Sequence, residues 1–347
     1  MEKEEKYIAN YGSFQAEGII TDIRIAREGK TKANNDYKVL NIRIKTNKDK
    51  ILNVELFGQV QSEIEVIKFK GKERETQKIK WSERNNIPAG FQLQNLGSVK
   101  VGKEIKTGAT STIKIYTSYD AITEIIENFK LGNSVHIEGS IGWNSYTSNQ
   151  DGSIRTSMRL SIQKIWMIND IDFSQEDYKE LCHFSQPIVI ESTELDENKE
   201  NLLVNAIIVL NKDGKFVRTE MRVPLDIRAN LAKTLNSKSS VPRYSILPVS
   251  GNIVNTIITE AQEDDASDEW GFDAQEQPVT RMTGNQLVII AAQGKDLIEK
   301  HYKEDDFIYD VLTTDEDTIV EDDGNPFETE NDDLSINDDS DWLGSLE

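Results

Sequence analysis

The chain has little that would tie it to an oxidising compartment, a membrane or a catalytic centre. One cysteine, Cys182, stands among 347 residues. No disulfide can form within the chain, and a reducing cytoplasm is the default setting. The longest apolar run, Leu202 to Leu210, is about half a membrane span and contains Asn205. The N-terminus, Met1-Glu-Lys-Glu-Glu-Lys-Tyr7, lacks the apolar segment of a signal peptide. A soluble, unexported protein with no membrane partner is expected. The three histidines, His136, His183 and His301, are scattered, with no His-x-His or Cys-x-x-Cys spacing to hold zinc. No Gly-x-x-x-x-Gly-Lys loop is present to cradle a phosphate. Cys182-His183 reads as packing within a helix rather than as a nucleophile and its base. These absences predict a binding protein that performs no chemistry and takes no metal or cofactor.

Positive charge is missing from one end only. The formal net charge is −21, yet residues 1–170 carry 26 Lys and Arg against 21 Asp and Glu. Residues 171–303 carry 14 against 22, and residues 304–347 carry 18 acids and no base. A ligand responds to the field within about a Debye length, roughly 8–10 Å at physiological salt, so the mildly basic first half can still attract a polyanion.

The length suits two or three domains. Ile19, Ile23 and Ile25 in Gly18–Arg27 alternate with polar residues, as do Leu40, Ile42 and Ile44 in Tyr37–Lys45 and Leu52, Val54 and Leu56 in Ile51–Phe57. That period of two marks three half-buried strands. Residues 59–118 have poor periodicity and read as an insertion. Ile122, Ile125, Ile126 and Phe129 then define a short amphipathic helix, with Ser118 or Asp120 to cap it and Gly132 to stop it. Val135–Tyr146 and Ile154–Trp166 read as two more strands joined by a turn-forming segment. Three strands, a helix and two strands is the order of the OB-fold, a small barrel that binds oligonucleotides across its second and third strands and adjoining loops.

Two stretches sharpen this. Asn53-Val-Glu-Leu-Phe-Gly-Gln59 resembles the third-strand signature of the bacterial and phage single-stranded-DNA-binding (SSB) family. Leu131-Gly-Asn-Ser-Val-His-Ile-Glu-Gly139, followed by Tyr146, Asp151-Gly152 and Arg155, is similar to that family's later strands and turn. The resemblance spans residues 12–170 and departs from the family in the large insertion. It implies single-stranded DNA as ligand in replication, recombination or repair, with RNA also admitted and the oligomeric state left open.

The same order recurs downstream. Phe173, Ser174, Asp177 and Tyr178 suggest a connecting helix with a cap and hydrophobic staple. Pro187–Leu195, Leu202–Asn211 and Phe216–Val223 read as strands, followed by a short helix begun at Asp226 and strand-like Tyr244–Thr259 and Asn285–Ala292. The architecture expected is mainly β: tandem OB-fold barrels, 1–170 with the basic insertion at 59–118 and 171–303 with an acidic loop at 260–276, then a disordered acidic tail at 304–347.

Binding single strands without reading sequence needs cations for phosphates and rings for bases. Tyr37, Arg43 and Lys45 share the outward face of the second strand, Lys38 adjoins Tyr37, and Phe57 lies on the outward face of the third. Arg155 and Arg159 oppose Met158, Leu160 and Ile162 in parity, so they also point away from the core. Trp143 and Tyr146 approach the loop between the last two strands. Trp81 sits in a run of seven bases against three acids between residues 68 and 84, which suits a flexible arm over the bound strand. Taken singly, Phe57 and Trp143 equally suit satellite core positions. In the second half, Arg218, Arg222 and Phe216 could form a second surface. The tail ends in an apolar cluster among acids, Asp339, Asp341, Trp342, Leu343 and Leu346. By resemblance it would compete with DNA and recruit replication or repair proteins, although the family's usual terminal Pro-Phe is replaced here by Leu346-Glu347. Two rival readings stand: an OB-fold adaptor in a replication or virion assembly, and an acidic mimic of nucleic acid that inhibits a DNA-binding enzyme.

Overall fold

A computed structural model of the chain describes residues 6–94, 97–103, 113–147, 154–255, 257–260, 279–282 and 285–308. Alternating apolar residues build the first strands: β1 (Gly12–Lys30), β2 (Asp36–Asn47) and β3 (Lys50–Gln59). Leu40, Ile42, Ile44, Leu52, Val54 and Leu56 on their inner faces are buried. Each such side chain contributes roughly 1.5–3 kcal/mol by leaving water.

The chain then makes β4 (Glu63–Lys70), β5 (Glu73–Lys80), β6 (Gln92–Leu93), β7 (Ser98–Gly102) and β8 (Ile113–Thr117) before α1 (Ser118–Asn128). β9 (Ser134–Thr147) and β10 (Ile154–Met167) follow. β1 pairs antiparallel with β2, β2 with β3, β10 parallel with β3, and β9 antiparallel with both β10 and β1. The circuit β1–β2–β3–β10–β9–β1 closes on itself with the helix between its third and fourth strands. That is an OB barrel.

The insertion is not the flexible arm expected of it. β4, β5 and β6 form a three-stranded sheet with a small core of Ile64, Val66, Ile79 and Leu93, against which Trp81, Ile87, Phe91 and Ile115 pack. A lobe that buries its own apolar cluster can hold a shape that a charged loop cannot. β7 and β8 instead extend the barrel wall, β7 running parallel to the end of β10. The cap of α1 is Thr117, not Ser118 or Asp120. Its hydroxyl accepts from the Asp120 amide (3.2 Å) and donates to the Asp120 carboxylate (2.8 Å). The helix ends before Phe129, three residues ahead of Gly132, whose φ of +84° turns the chain into β9.

No helix connects the two halves. Residues 169–177 form turns in which Asp172 accepts from the Ser174 amide and hydroxyl. The predicted staple pair does meet, Phe173 edge-on to Tyr178 at 5.2 Å. The Tyr178 hydroxyl donates to the Thr46 carbonyl (2.6 Å), and burial with Glu180 nearby pushes its pKa up to about 12. Glu180 binds Lys50 (2.7 Å) and Thr46 (2.9 Å), which ties the linker to the β2–β3 turn.

The second barrel contains β11 (Cys182–Leu195), β12 (Asn201–Val209), β13 (Phe216–Pro224), α2 (Leu225–Asn236), β14 (Ile246–Val254) and, after β15 (Ile257–Glu260) and β16 (Val279–Met282), β17 (Gln286–Ala292). β11 pairs with β12 and β14, β12 with β13, β13 parallel with β17, and β14 with β17. The fold is therefore mainly β, two OB barrels in tandem. Cys182 is a buried strand residue, not a helical one, and burial pushes its thiol up to about 12.

The barrels share a sheet, because residues 13–16 of β1 pair with β9 on one side and with 182–185 of β11 on the other. At this seam Gln186, fully buried, donates to the Asn10 carbonyl (2.8 Å). A Cβ at Gly12 would overlap the same amide. A smaller unit comprises residues Ile258–Met282 and the chain from Glu304; its described parts are the β15–β16 ladder and a single 3-10 turn at Glu304–Phe307. Of the acidic tail expected from residue 304 this turn is described; the remainder, like residues 261–276 of the acidic loop expected at 260–276, lies outside the described residues. Among the described residues no helix is long and apolar enough to cross a membrane.

Candidate nucleic-acid interface

The outward face of β2 and β3 presents an aromatic step. Register places Tyr37 beside Gln59 and Val39 beside Phe57. The Tyr37 and Phe57 rings stack at 5.8 Å with 28° between planes, and Phe57 stays 42% exposed. A pair of rings held parallel on an open strand face is a surface on which a base can continue the stack. Lys38, next in sequence, turns to the other side: its ammonium lies 4.9 Å from the centre of the Tyr119 ring on α1. That side is crowded by design, since Gly58, paired with Lys38, has no room for a Cβ against the Tyr119 backbone.

Cations flank the step. Arg43 and Lys45 follow Tyr37 on the same face of β2, both half-buried. One carboxylate, Asp22, serves two guanidinium groups, with Arg24 at 3.5 Å and Arg43 at 4.0 Å. Two bulges in β1, between Ile20 and Asp22 and between Ile25 and Arg27, shift its register against β2. As a result Asp22, Arg24 and Arg27 come opposite Arg43, Asn41 and Val39, which share a face of β2, Val39 being buried there. Simple alternation gives Arg27 the parity of Ile23 and Ile25 and so missed it on this face.

Across β3, Glu55 stands opposite Asn41 on β2 and Ser161 on β10. Burial pushes its carboxyl above the usual carboxylate range, while Arg159 and Arg27 pull it back down. Burial also lowers the Arg159 pKa, and Glu55 opposes that shift. Glu55 thus feels two arginines and, with Asp22, places negative charge within a face rich in cations. Sequence parity placed Glu55 on this face without showing its partners. Arg155 is exposed at the other end of β10, opposite Tyr146 in the ladder. The Tyr146 side chain and the loop at 148–153 lie outside the described residues.

Two tryptophans stand elsewhere. Trp143 packs against the core and donates its indole N–H to Gln186 (3.2 Å), so it serves the seam between barrels rather than the strand 4–5 loop. Trp81 is a wall of the small lobe, edge-on to Tyr119 at 6.2 Å with Arg84 4.7 Å from its ring centre. Arg84 in turn grips Asp120 at 2.8 Å. Asp339, Asp341, Trp342, Leu343 and Leu346 lie outside the described residues.

The second barrel uses the equivalent face differently. On β12 the positions matching Tyr37, Asn41 and Arg43 fall among Leu203, Asn205, Ile207 and Val209, of which the last two are fully buried. On β13, Arg218 lies over Phe216 at 5.2 Å and is gripped by both carboxylate oxygens of Glu191. Arg222 is 3.5 Å from Glu220. β10 of the first barrel also leans on this strand, Thr156 donating to the Arg218 carbonyl (2.9 Å).

Residues 11–325 match the YorF family. The chain belongs to that family. The match runs through both barrels, so the tandem arrangement falls within the family's extent. No curated protein matches this YorF-family chain in sequence. Among solved structures, a deletion mutant of the single-stranded DNA binding protein from Thermus aquaticus aligns with 9% identity and a TM-score of 0.37, covering 82% of this chain and 94% of that one. The wild-type protein from the same organism aligns with 8% identity and the same TM-score, covering 82% and 93%. The strand circuit described above rests on this chain's own pairing.

Proposed function

We propose that the first barrel of this chain binds single-stranded DNA without strong sequence preference, as in replication, recombination or repair. The observation that carries this is the Tyr37–Phe57 stack on the β2–β3 face, its Phe57 ring open to solvent and its Tyr37 ring half-buried, bordered by Arg43, Lys45, Arg27 and Arg159. Rings supply sequence-tolerant stacking and guanidinium groups supply phosphate contacts, the two things a strand-coating surface requires. Nothing in the reading needs catalysis or a cofactor, and a cytoplasmic setting suits the buried free thiol. The acidic residues from Glu304 onward would compete with DNA for this face and present Trp342, Leu343 and Leu346 to partner proteins.

A salt titration of labelled dT oligomer binding to the full chain tests the proposal. Binding that weakens with salt along a slope of about −0.7 per phosphate contact is expected. Absence of binding at low salt, both for the full chain and for a chain ending at Lys303, would defeat it. An rU oligomer in parallel reads the preference for DNA, and the shortened chain reads the tail, whose removal should raise affinity.

A further inference from the structure

Beside the aromatic step lies a cleft of about 180 Å³ between the first barrel and the small lobe. Phe57 belongs to both: its exposed ring forms the step and also the rim of the cleft. The cleft is smaller than the roughly 300–1,000 Å³ typical of sites for drug-sized ligands, so it suits a fragment of about one ring system. Trp81, Ile64 and Leu93 supply its apolar wall, and Gln59, Gln61 and Gln94 its amides.

The chemistry of the lining is selective. Glu65 opens onto the cleft, and Asp120 already occupies the start of α1, so a phosphate is disfavoured. The Thr117 and Ser118 hydroxyls are spent, donating to Asp120 (2.8 Å) and the Gly97 carbonyl (3.0 Å). One group is not spent. The Gln94 Oε1 atom is buried and has no hydrogen-bond partner among the described residues, although its backbone N–H is tied to the Glu65 carbonyl (3.2 Å). Buried acceptors are ordinarily satisfied, and this one, unpaired among the described residues, belongs to a side chain that lines a cleft able to admit an N–H donor.

We infer that this cleft takes a single extruded nucleobase bearing an exocyclic amine, the amine donating to Gln94 and the ring lying against Trp81 and Phe57. A strand lying over Tyr37 and Phe57 would deliver its next base to the opening. Thymine is the poorer fit, because it has no exocyclic amine and its one ring N–H is flanked by two carbonyls, one of which would face Glu65. The inference rests on the proposed binding of single strands and adds one preferred base position to an otherwise unselective surface.

The test scans single dC replacements, and separately single abasic replacements, along a dT oligomer bound by the full chain. At one position dC should bind about fivefold more tightly than dT, and an abasic residue about tenfold more weakly. Gln94→Leu should remove the dC gain and keep dT binding, while Gln94→Glu, which retains an acceptor, should keep the gain. Uniform affinity along the scan, a dC gain that survives Gln94→Leu, or one that Gln94→Glu abolishes would overturn the cleft assignment. Failure of the unaltered oligomer to bind would instead overturn the reading beneath it.

Discussion

The two barrels share a strand circuit and differ in what they leave open. In the first, the outward face of the second and third strands carries a ring pair beside Arg43 and Lys45, with Asp22 divided between Arg24 and Arg43. In the second, Arg218 has a carboxylate of its own in Glu191, Ile207 and Val209 are buried, and a strand of the first barrel leans on β13. An ion pair formed in place leaves little field for a phosphate, and a buried face leaves no room for a base. The barrel fold by itself therefore does not make an interface; the side chains on its open face do.

That contrast can be broken first by removing its rings. Tyr37→Ala with Phe57→Ala should weaken dT binding by about 2–6 kcal/mol, at roughly 1–3 per stacked base, whereas Phe216→Ala in the second barrel should leave affinity unchanged; equal losses measured by fluorescence anisotropy would erase the distinction. Next, Trp143→Phe should lower stability in urea by about 1–3 kcal/mol, because the Gln186 oxygen loses its donor while buried, and should leave DNA binding intact. A loss of binding at unchanged stability would return Trp143 to the interface.

Charge effects are smaller. Arg43→Ala should flatten the slope of log affinity against log salt by about 0.7, one phosphate contact, and Arg222→Ala should leave the slope alone. Glu55→Gln should raise affinity severalfold by removing the negative charge from the face. The raised pKa of Glu55 carries a sign: the folded state holds the proton more tightly than the unfolded chain does, so ionisation costs stability as pH rises through the carboxylate range. Unfolding curves of the Gln variant should lack that part of the pH dependence, and a variant with the parent's pH profile would remove Glu55 from the account. Least of all, Cys182 should resist alkylation in the native state, its thiol being buried and held largely protonated up to about pH 12.

Much of this was legible in residue order. Alternation in Tyr37–Lys45 and Ile51–Phe57 placed Leu40 to Leu56 inside and Tyr37, Arg43 and Phe57 outside, because in a strand neighbouring side chains must point to opposite faces. The same rule found the five strands of the second barrel. It failed where a single residue breaks the count. The bulge after Ile25 shifts Arg27 from the parity of Ile23 and Ile25 onto the binding face, and the short strands of the lobe were too mixed in polarity to register, with only Ile79 of β5 buried. The connecting segment had a helix's opening signals in Ser174 and Asp177 but too little apolar surface to continue, and settled as turns.

Composition and periodicity alone determined that the chain is mainly β, that its charge is segregated, and which strand faces are apolar, since these depend on neighbours in sequence. Tertiary structure decided the rest: that Glu55 would come within the field of Arg27 and Arg159, that Trp143 would serve Gln186, that Trp81 would wall a cleft, and that Glu191 would claim Arg218 in the second barrel. Those outcomes depend on strand register and on contacts between residues far apart in the chain, and no local pattern encodes which distant side chain will arrive to satisfy, cover or leave exposed a given group.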